Sequence, residues 1–135
     1  MKRYLVVEDE EINRTVLSSF LSNYAPCDTA ENGKEGLSLF KNAHSEGNPY
    51  SLICVDLIMP EMNGLALIKE IRSLEKSNSA FSEYRTRIFV ISACDSPWDK
   101  ADLILDNLCD DYIVKPFDRC LFEEKLHRFN RLLQK

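Results

Sequence analysis

The five cysteines of this sequence form no recognisable pairing or metal-binding pattern. They are odd in number, and no two of them lie in a CxxC motif. The sequence therefore indicates neither a disulfide framework nor a zinc site. Cys54 and Cys94 lie in or beside apolar runs, where cysteine serves as a small core residue. Because unpaired cysteines suit a reducing compartment, we predict a cytoplasmic location.

The sequence also lacks a long apolar run and an excess of positive charge. No run approaches the length of a membrane span, and the N-terminal MKRYLVVEDE lacks the apolar core of a signal peptide. The formal net charge of -5 argues against nucleic acid or an anionic membrane as the main partner. We therefore predict no direct binding to nucleic acid and no association with a membrane.

What the sequence does contain is typical of one globular domain. It has 135 residues, of which 44% are apolar and 29% are charged, enough for a core of its own. We expect a single domain over residues 1–135. Five short apolar runs alternate with stretches whose apolar residues follow helical spacing. This alternation predicts an α/β fold, a five-stranded parallel sheet with helices on both faces.

The predicted elements are short strands and amphipathic helices. The strands are expected at residues 4–7, 26–29, 52–55, 88–91 and 112–114. The helices are expected at about residues 11–24, 33–47, 64–75, 96–108 and 118–133. In the first helix the predicted apolar stripe combines two i, i+4 rows; its members are Ile12, Val16, Leu17, Phe20 and Leu21.

Four of the five predicted strands end in a charged or hydroxyl side chain. The first ends at Glu8-Asp9, the third at Asp56, the fourth at Ser92 and the fifth at Lys115. Each has an ordinary interpretation as a helix cap, an acidic first turn or a solvated lysine. However, ligands of open α/β sheets bind beyond the carboxyl ends of the strands. The shared position of these residues therefore favours one common site.

The chemistry of this group points to phosphoryl transfer. Three carboxylates against one lysine leave negative charge that a divalent cation would neutralise. Mg²⁺, or Mn²⁺ in its place, suits carboxylate oxygens and phosphate. Asp56 ends a buried strand before turn residues, and aspartate can accept a phosphoryl group. Lys115 and the cation would offset the charge on that group, and the Ser92 hydroxyl could donate to one of its oxygens.

Four motifs give the chain a specific resemblance. In order they are VVEDE at 6–10, VDLIMPEMNG at 55–64, ISA at 91–93 and DYIVKPF at 111–117. With these motifs the chain resembles, over nearly its whole length, the receiver domains of two-component response regulators, of the stand-alone or hybrid-kinase type. The resemblance implies a flavodoxin-like fold with strand order 2-1-3-4-5. It also implies a phosphorelay partner, a sensor histidine kinase or a histidine phosphotransfer protein, that donates the phosphoryl group.

The resemblance assigns roles to the acidic residues. It implies that Asp56 is the phosphoacceptor, that Asp9 binds Mg²⁺ directly, and that Glu8 assists through a water molecule. The backbone carbonyl of Ile58 would be a further metal ligand, beside Asp9 and Asp56. Glu8 stands where the family more often has aspartate, a substitution that the family tolerates.

The resemblance also implies a switch. Ser92 would move toward the phosphoryl group, Lys115 would contact it, and Lys115-Pro116 would form a cis peptide bond. Tyr112 matches an aromatic residue that turns inward on activation, although it could instead be an ordinary half-exposed strand tyrosine. The output surface would be the fourth helix, fifth strand and fifth helix, which would bind a downstream protein or form a homodimer.

We favour a signalling switch without a separate output domain, one that is not an enzyme beyond its own phosphorylation and dephosphorylation. The main alternative is a phosphorylation-independent interaction module, against which the intact acidic group counts. A phosphohydrolase would need an acid where Ile58 stands, and a flavin site would suffer repulsion from the acidic edge. Because neither Ile58 nor Cys94 can orient a water, we hypothesise slow self-dephosphorylation. His44 and His127 do not fit a phosphohistidine site and are predicted at the surface.

Overall fold

The computed structural model describes residues 3–57, 63–77, 85–92, 108–115 and 119–133, with side chains of the last helix described up to residue 128. The described strands are β1 (Tyr4–Val7), β2 (Cys27–Ala30), β3 (Leu52–Val55), β4 (Arg87–Ser92) and β5 (Asp111–Val114). The described helices are α1 (Glu11–Ser22), α2 (Gly33–Ser45), α3 (Gly64–Ser77) and a C-terminal helix (Arg119–Leu133), the fifth helix of the sequence prediction. None of the described helices is long and apolar enough to cross a membrane. The fourth predicted helix, apart from its last residue, lies outside the described residues.

The strands form one parallel sheet in the order β2-β1-β3-β4-β5, which confirms the predicted order. In this register Val7 lies opposite Ala30 on one side and opposite Val55 on the other. The chain leaves β1 toward β2 and then returns past β1 to form β3, so the direction of strand addition reverses at β1. Ligand sites of such sheets lie beyond the carboxyl ends of the strands beside this reversal.

The sheet is buried on both faces because alternate side chains of each strand point to opposite sides. Leu5 and Val7 belong to the core cluster that includes residues of α2 and α3. Tyr4 and Val6 belong to the cluster that includes residues of α1 and the C-terminal helix. All residues of β1 and β3 are buried. The predicted arrangement of helices on both faces of a parallel sheet is confirmed.

The apolar stripe predicted for α1 is partly wrong. Leu17 and Leu21 are buried, but Ile12 is 77% exposed and Val16 is 40% exposed. Because successive helical residues are rotated by about 100°, the row that contains Ile12 and Val16 lies one step round the helix from the buried pair. Phe20, on the same row, is half-buried because it meets an aromatic ring of the C-terminal helix, with centroids 6.0 Å apart.

Two smaller departures from the prediction have local causes. The second strand begins at Cys27 rather than at Pro26, because proline has no N–H to donate to the sheet. His44 is half-buried rather than at the surface, and its ring packs against Phe40 with centroids 4.8 Å apart. Burial lowers the pKa of His44. His127 is exposed, as predicted.

At the N-terminal ends of β4 and β5, which we call the amino edge, a buried arginine links α3 to the sheet. The Arg72 guanidinium donates to the backbone carbonyls of Leu108 at 3.1 Å and Thr86 at 2.7 Å. It also donates to the carboxylates of Glu75 at 2.7 Å and Asp110 at 3.3 Å. Thr86 and Asp110 immediately precede β4 and β5. Arg72 therefore helps to fix where these two strands begin.

Candidate functional site

Backbone hydrogen bonds continue past the ends of the strands and bring the predicted polar residues to one edge. Glu8 N donates to Ala30 O at 3.1 Å, and Asp56 N donates to Val7 O at 3.1 Å. Lys115 N donates to the carbonyl of Ser92, the last residue of β4, at 2.8 Å. We call this side of the molecule the carboxyl edge; it carries Glu8, Asp9, Asp56, Ser92 and Lys115.

One lysine joins two buried carboxylates at the carboxyl edge. Lys115 Nζ donates to Glu8 Oε2 at 3.0 Å and to Asp56 Oδ2 at 3.1 Å. Glu8 is 1% exposed and Asp56 is 6% exposed, whereas the Lys115 side chain reaches solvent at 18%. The Ser92 side chain is buried as well. The structure therefore places the predicted acceptor and the predicted lysine in direct contact.

Burial and neighbouring charges shift the pKa values of Glu8 and Lys115. Burial raises the pKa of Glu8 to about 7; the Lys115 hydrogen bond opposes this shift, and the neighbouring Asp56 charge adds to it. Burial lowers the pKa of Lys115, but its hydrogen bonds to Glu8 and Asp56 outweigh this effect and raise the pKa above its ordinary value. The ammonium group of Lys115 thus does not offset the effect of burial on the pKa of Glu8.

The acidic residues of the carboxyl edge could hold a metal ion. One carboxylate oxygen from each of Glu8, Asp9 and Asp56 lies within 4.8 Å of the other two. Oxygen ligands are those that a hard divalent cation prefers. A cation would also relieve the repulsion that contributes to the raised pKa of Glu8. The predicted ligand Ile58 and the predicted cis peptide at Pro116 lie outside the described residues.

Gly64 explains how α3 begins so close to the acceptor. A Cβ atom at this position would collide with the Asp56 carbonyl oxygen and would lie 2.7 Å from Leu57 Cα. Gly64 N donates to Leu57 O at 3.1 Å, and Asn63 Oδ1 accepts from Ala66 N at 2.9 Å. The close approach of two backbones is what requires the glycine.

Arg14 contacts the acidic loop and was not identified from the sequence. Its Nη1 atom donates to the carbonyl oxygens of Glu8 at 2.9 Å and Asp9 at 3.5 Å. Its Nη2 atom lies 3.8 Å from Glu31 Oε1 in the loop that follows β2. Contacts of an arginine with backbone carbonyls leave no pattern in one sequence, so sequence reasoning had no signal for this residue.

Tyr112 lies inside the protein. It is 8% exposed, belongs to the core cluster on the α3 side of the sheet, and pairs with Val90. Tyr112 is therefore buried rather than half-exposed, and its role, as a switch or as an ordinary strand residue, stays a prediction. Next to it, Asp111 Oδ1 accepts from Tyr112 N and from Lys125 Nζ, each at 2.8 Å. This contact links β5 to the C-terminal helix.

The chain matches the response regulator receiver domain over residues 4–127 and belongs to this family. It is 35% identical over 137 residues to the response regulator ArlR of Staphylococcus aureus. That alignment covers 100% of this chain and 54% of the relative. The chain thus spans about half the length of the curated relatives that it matches.

Solved structures agree with this assignment. The response regulator TrrA from Thermotoga maritima, solved in complex with Mg(2+)-BeF, is 31% identical with a TM-score of 0.72, covering 96% of this chain and 99% of that chain. A second match comes from the Saccharomyces cerevisiae phosphotransfer protein Ypd1 crystallised with the receiver domain of its downstream response regulator Ssk1. It is 31% identical with a TM-score of 0.75, covering 92% of this chain and 85% of that one. The predicted receiver fold is confirmed.

Proposed function

We propose that this chain is a phosphoryl-accepting switch in a two-component or phosphorelay system, with Asp56 as its acceptor. The observation that supports this proposal most strongly is the contact of Lys115 with both Asp56 and Glu8 at the carboxyl edge. A phosphorylation site needs positive charge close to the acceptor, and the Lys115 ammonium group supplies it at 3.1 Å from Asp56 Oδ2.

In the proposed reaction, Asp56 attacks the phosphoryl group of a partner phosphohistidine. A bond forms between an Asp56 carboxylate oxygen and phosphorus while the bond from phosphorus to the histidine nitrogen breaks, and the nitrogen keeps that electron pair. Mg²⁺ would offset charge on the phosphoryl oxygens. It would be held by Asp9, Asp56 and the Ile58 carbonyl, with Glu8 assisting through a water molecule. The chain catalyses only this transfer and its later hydrolysis, and it acts on no separate substrate.

Lys115 would change partners during this reaction. Its ammonium group lies 3.1 Å from Asp56 Oδ2, so it is already within reach of a group attached to that carboxylate. A phosphoryl oxygen would draw Lys115 away from Glu8 and would accept a hydrogen bond from the Ser92 hydroxyl. Lys115 directly follows β5, the strand that carries Tyr112. Phosphorylation would thereby bias the position of Tyr112 and the surface formed by the fourth predicted helix, β5 and the C-terminal helix.

The proposed phosphodonor is a sensor histidine kinase or a histidine phosphotransfer protein. The likeness to the Ssk1 receiver, which was crystallised with the phosphotransfer protein Ypd1, supports this class of partner. The proposed output is binding to a downstream protein, or homodimerisation, through the surface formed by the fourth predicted helix, β5 and the C-terminal helix. Lys125 and Asp111 lie on that surface and form an ion pair at 2.8 Å, which a partner could rearrange.

Intact-mass analysis tests the proposal. The protein is incubated with phosphoramidate or acetyl phosphate, with Mg²⁺ or with EDTA, beside Asp56→Asn and Asp9→Asn. We expect a gain of one phosphoryl mass that needs Mg²⁺, that is lost in Asp56→Asn and reduced in Asp9→Asn. Glu70→Gln, at an exposed position of α3, serves as the control and should behave like wild type. A folded wild-type protein that takes up neither phosphoryl nor beryllofluoride would instead favour a phosphorylation-independent interaction module.

A further inference from the structure

We propose that Arg14 is a positioning residue for the metal site, because it holds the backbone of the acidic loop in the form that presents Asp9 to Mg²⁺. The inference rests on the proposed function, since it concerns the same site. Arg14 does not touch the reacting atoms. Instead, it donates to the backbone carbonyl oxygens of Glu8 and Asp9.

The three acidic side chains are held in different ways. Glu8 and Asp56 are buried, and each accepts a hydrogen bond from Lys115. Asp9 is exposed, so packing does not fix the direction of its carboxylate. The position of Asp9 therefore depends on the backbone of its loop, and that backbone is what Arg14 contacts.

The contacts of Arg14 suit this task. Its Nη1 atom donates to the Glu8 carbonyl at 2.9 Å and reaches the Asp9 carbonyl at 3.5 Å, so one nitrogen contacts both peptide units. The Arg14 side chain is 16% exposed, which limits competition from water. The ion pair with Glu31 is longer, at 3.8 Å, and the Glu31 side chain is 69% exposed. We therefore assign the positioning effect to the carbonyl contacts rather than to the ion pair.

Lysine is expected to replace arginine only in part in this arrangement. Arginine presents several N–H donors in a fixed plane, whereas lysine presents one compact ammonium group on a flexible stem. Arg14→Lys would keep the positive charge, but its single ammonium group, on a flexible stem that is one atom shorter, would not be held where Nη1 contacts both carbonyls while Nη2 faces Glu31. A comparison of lysine with an uncharged residue thus separates the effect of geometry from the effect of charge.

Isothermal titration with MgCl₂ tests the inference on the full chain. We expect Arg14→Met to weaken Mg²⁺ binding by about tenfold or more, the effect typical for residues that orient metal ligands. Arg14→Lys is expected to recover only part of this loss. Glu31→Gln, which removes the ion pair and keeps the carbonyl contacts, should stay within about twofold of wild type. Arg128→Met, on the C-terminal helix, controls for the loss of a surface charge.

A second readout separates positioning from a general loss of structure. If Arg14 acts through metal binding, the phosphorylation defect of Arg14→Met should shrink as the Mg²⁺ concentration rises, and thermal unfolding in EDTA should match Arg128→Met. Wild-type affinity in folded Arg14→Met and Arg14→Lys would overturn the inference and leave the proposed function intact. Should Arg14→Met fail to fold, the affinity of Arg14→Lys decides. A wild-type protein that binds no Mg²⁺ would overturn both the inference and the proposed metal site.

Discussion

Replacing Arg72 by methionine is expected to destabilise the fold far more than the same replacement at Arg128. The Arg72 side chain is 7% exposed and donates to two carbonyls and two carboxylates. The Arg128 side chain is 59% exposed and pairs with Glu124 at 3.3 Å. Methionine keeps an unbranched apolar stem in both variants, so the comparison isolates the guanidinium group.

The expected loss of stability depends on the buried groups that lose a partner when the Arg72 guanidinium is removed. Removing one partner of a buried ion pair costs about 3–5 kcal/mol. Here the carboxylates keep other donors: Glu75 accepts from Thr86 N at 2.8 Å, and Asp110 pairs with Arg85 at 2.8 Å. We therefore expect the lower end of that range, about 3 kcal/mol, which lowers the melting temperature by roughly 10 °C. The exposed Arg128 pair contributes less than about 1 kcal/mol.

Urea denaturation of Arg72→Met and Arg128→Met, followed by circular dichroism, measures this difference. The double variant Arg72→Met with Glu75→Met should recover part of the loss, since it no longer leaves the Glu75 carboxylate without its arginine. If Arg72→Met lay within about 1 kcal/mol of Arg128→Met, the ion network at the amino edge would not stabilise the sheet in the way described.

Three further predictions concern the carboxyl edge. Gly64→Ala should destabilise the fold by at least about 2 kcal/mol and slow phosphorylation, whereas Gly36→Ala, whose added Cβ meets only side chains, should cost less in the same denaturation assay. Because burial raises the pKa of Glu8 to about 7, the folded state holds this proton more tightly than the unfolded state. Stability in EDTA should therefore fall as the pH rises from about 5 to about 8, and denaturation should show a smaller fall for Glu8→Gln. With Ile58 and Cys94 in place of residues that orient water, the phosphorylated protein should keep its label for minutes in the mass assay; loss within seconds would contradict this.

Much of the architecture could be predicted because its signals are local. The short apolar runs gave the strands, and their alternation with helical spacing gave the parallel sheet. The residues of the carboxyl edge could be located because Glu8, Asp56 and Lys115 each stand immediately after an apolar run. In a parallel sheet, that position alone brings them to one side of the molecule.

The residues that sequence reasoning missed act largely through contacts with backbone carbonyls. Arg14 and Arg72 donate to backbone carbonyls, which every residue possesses, so these contacts leave no pattern in the sequence. The face of α1 was misjudged because its two apolar rows are adjacent. Only packing decides that Leu17 is buried while Ile12 is exposed.

The amino edge and the carboxyl edge both carry buried charged side chains, but the balance of charge differs between them. At the amino edge, the single carboxylate of Asp110 accepts from Arg72, Arg85 and Arg87, so positive charge is in excess even with Glu75 counted, and the carboxylate is well paired. At the carboxyl edge, one lysine serves two buried carboxylates and leaves the pKa of Glu8 raised. Such a deficit of positive charge is unfavourable in a purely structural site. It lies beside the strand reversal, where a bound ligand would compensate it. The imbalance thus supports the proposal that the carboxyl edge binds a cation and that Lys115 exchanges its partners there.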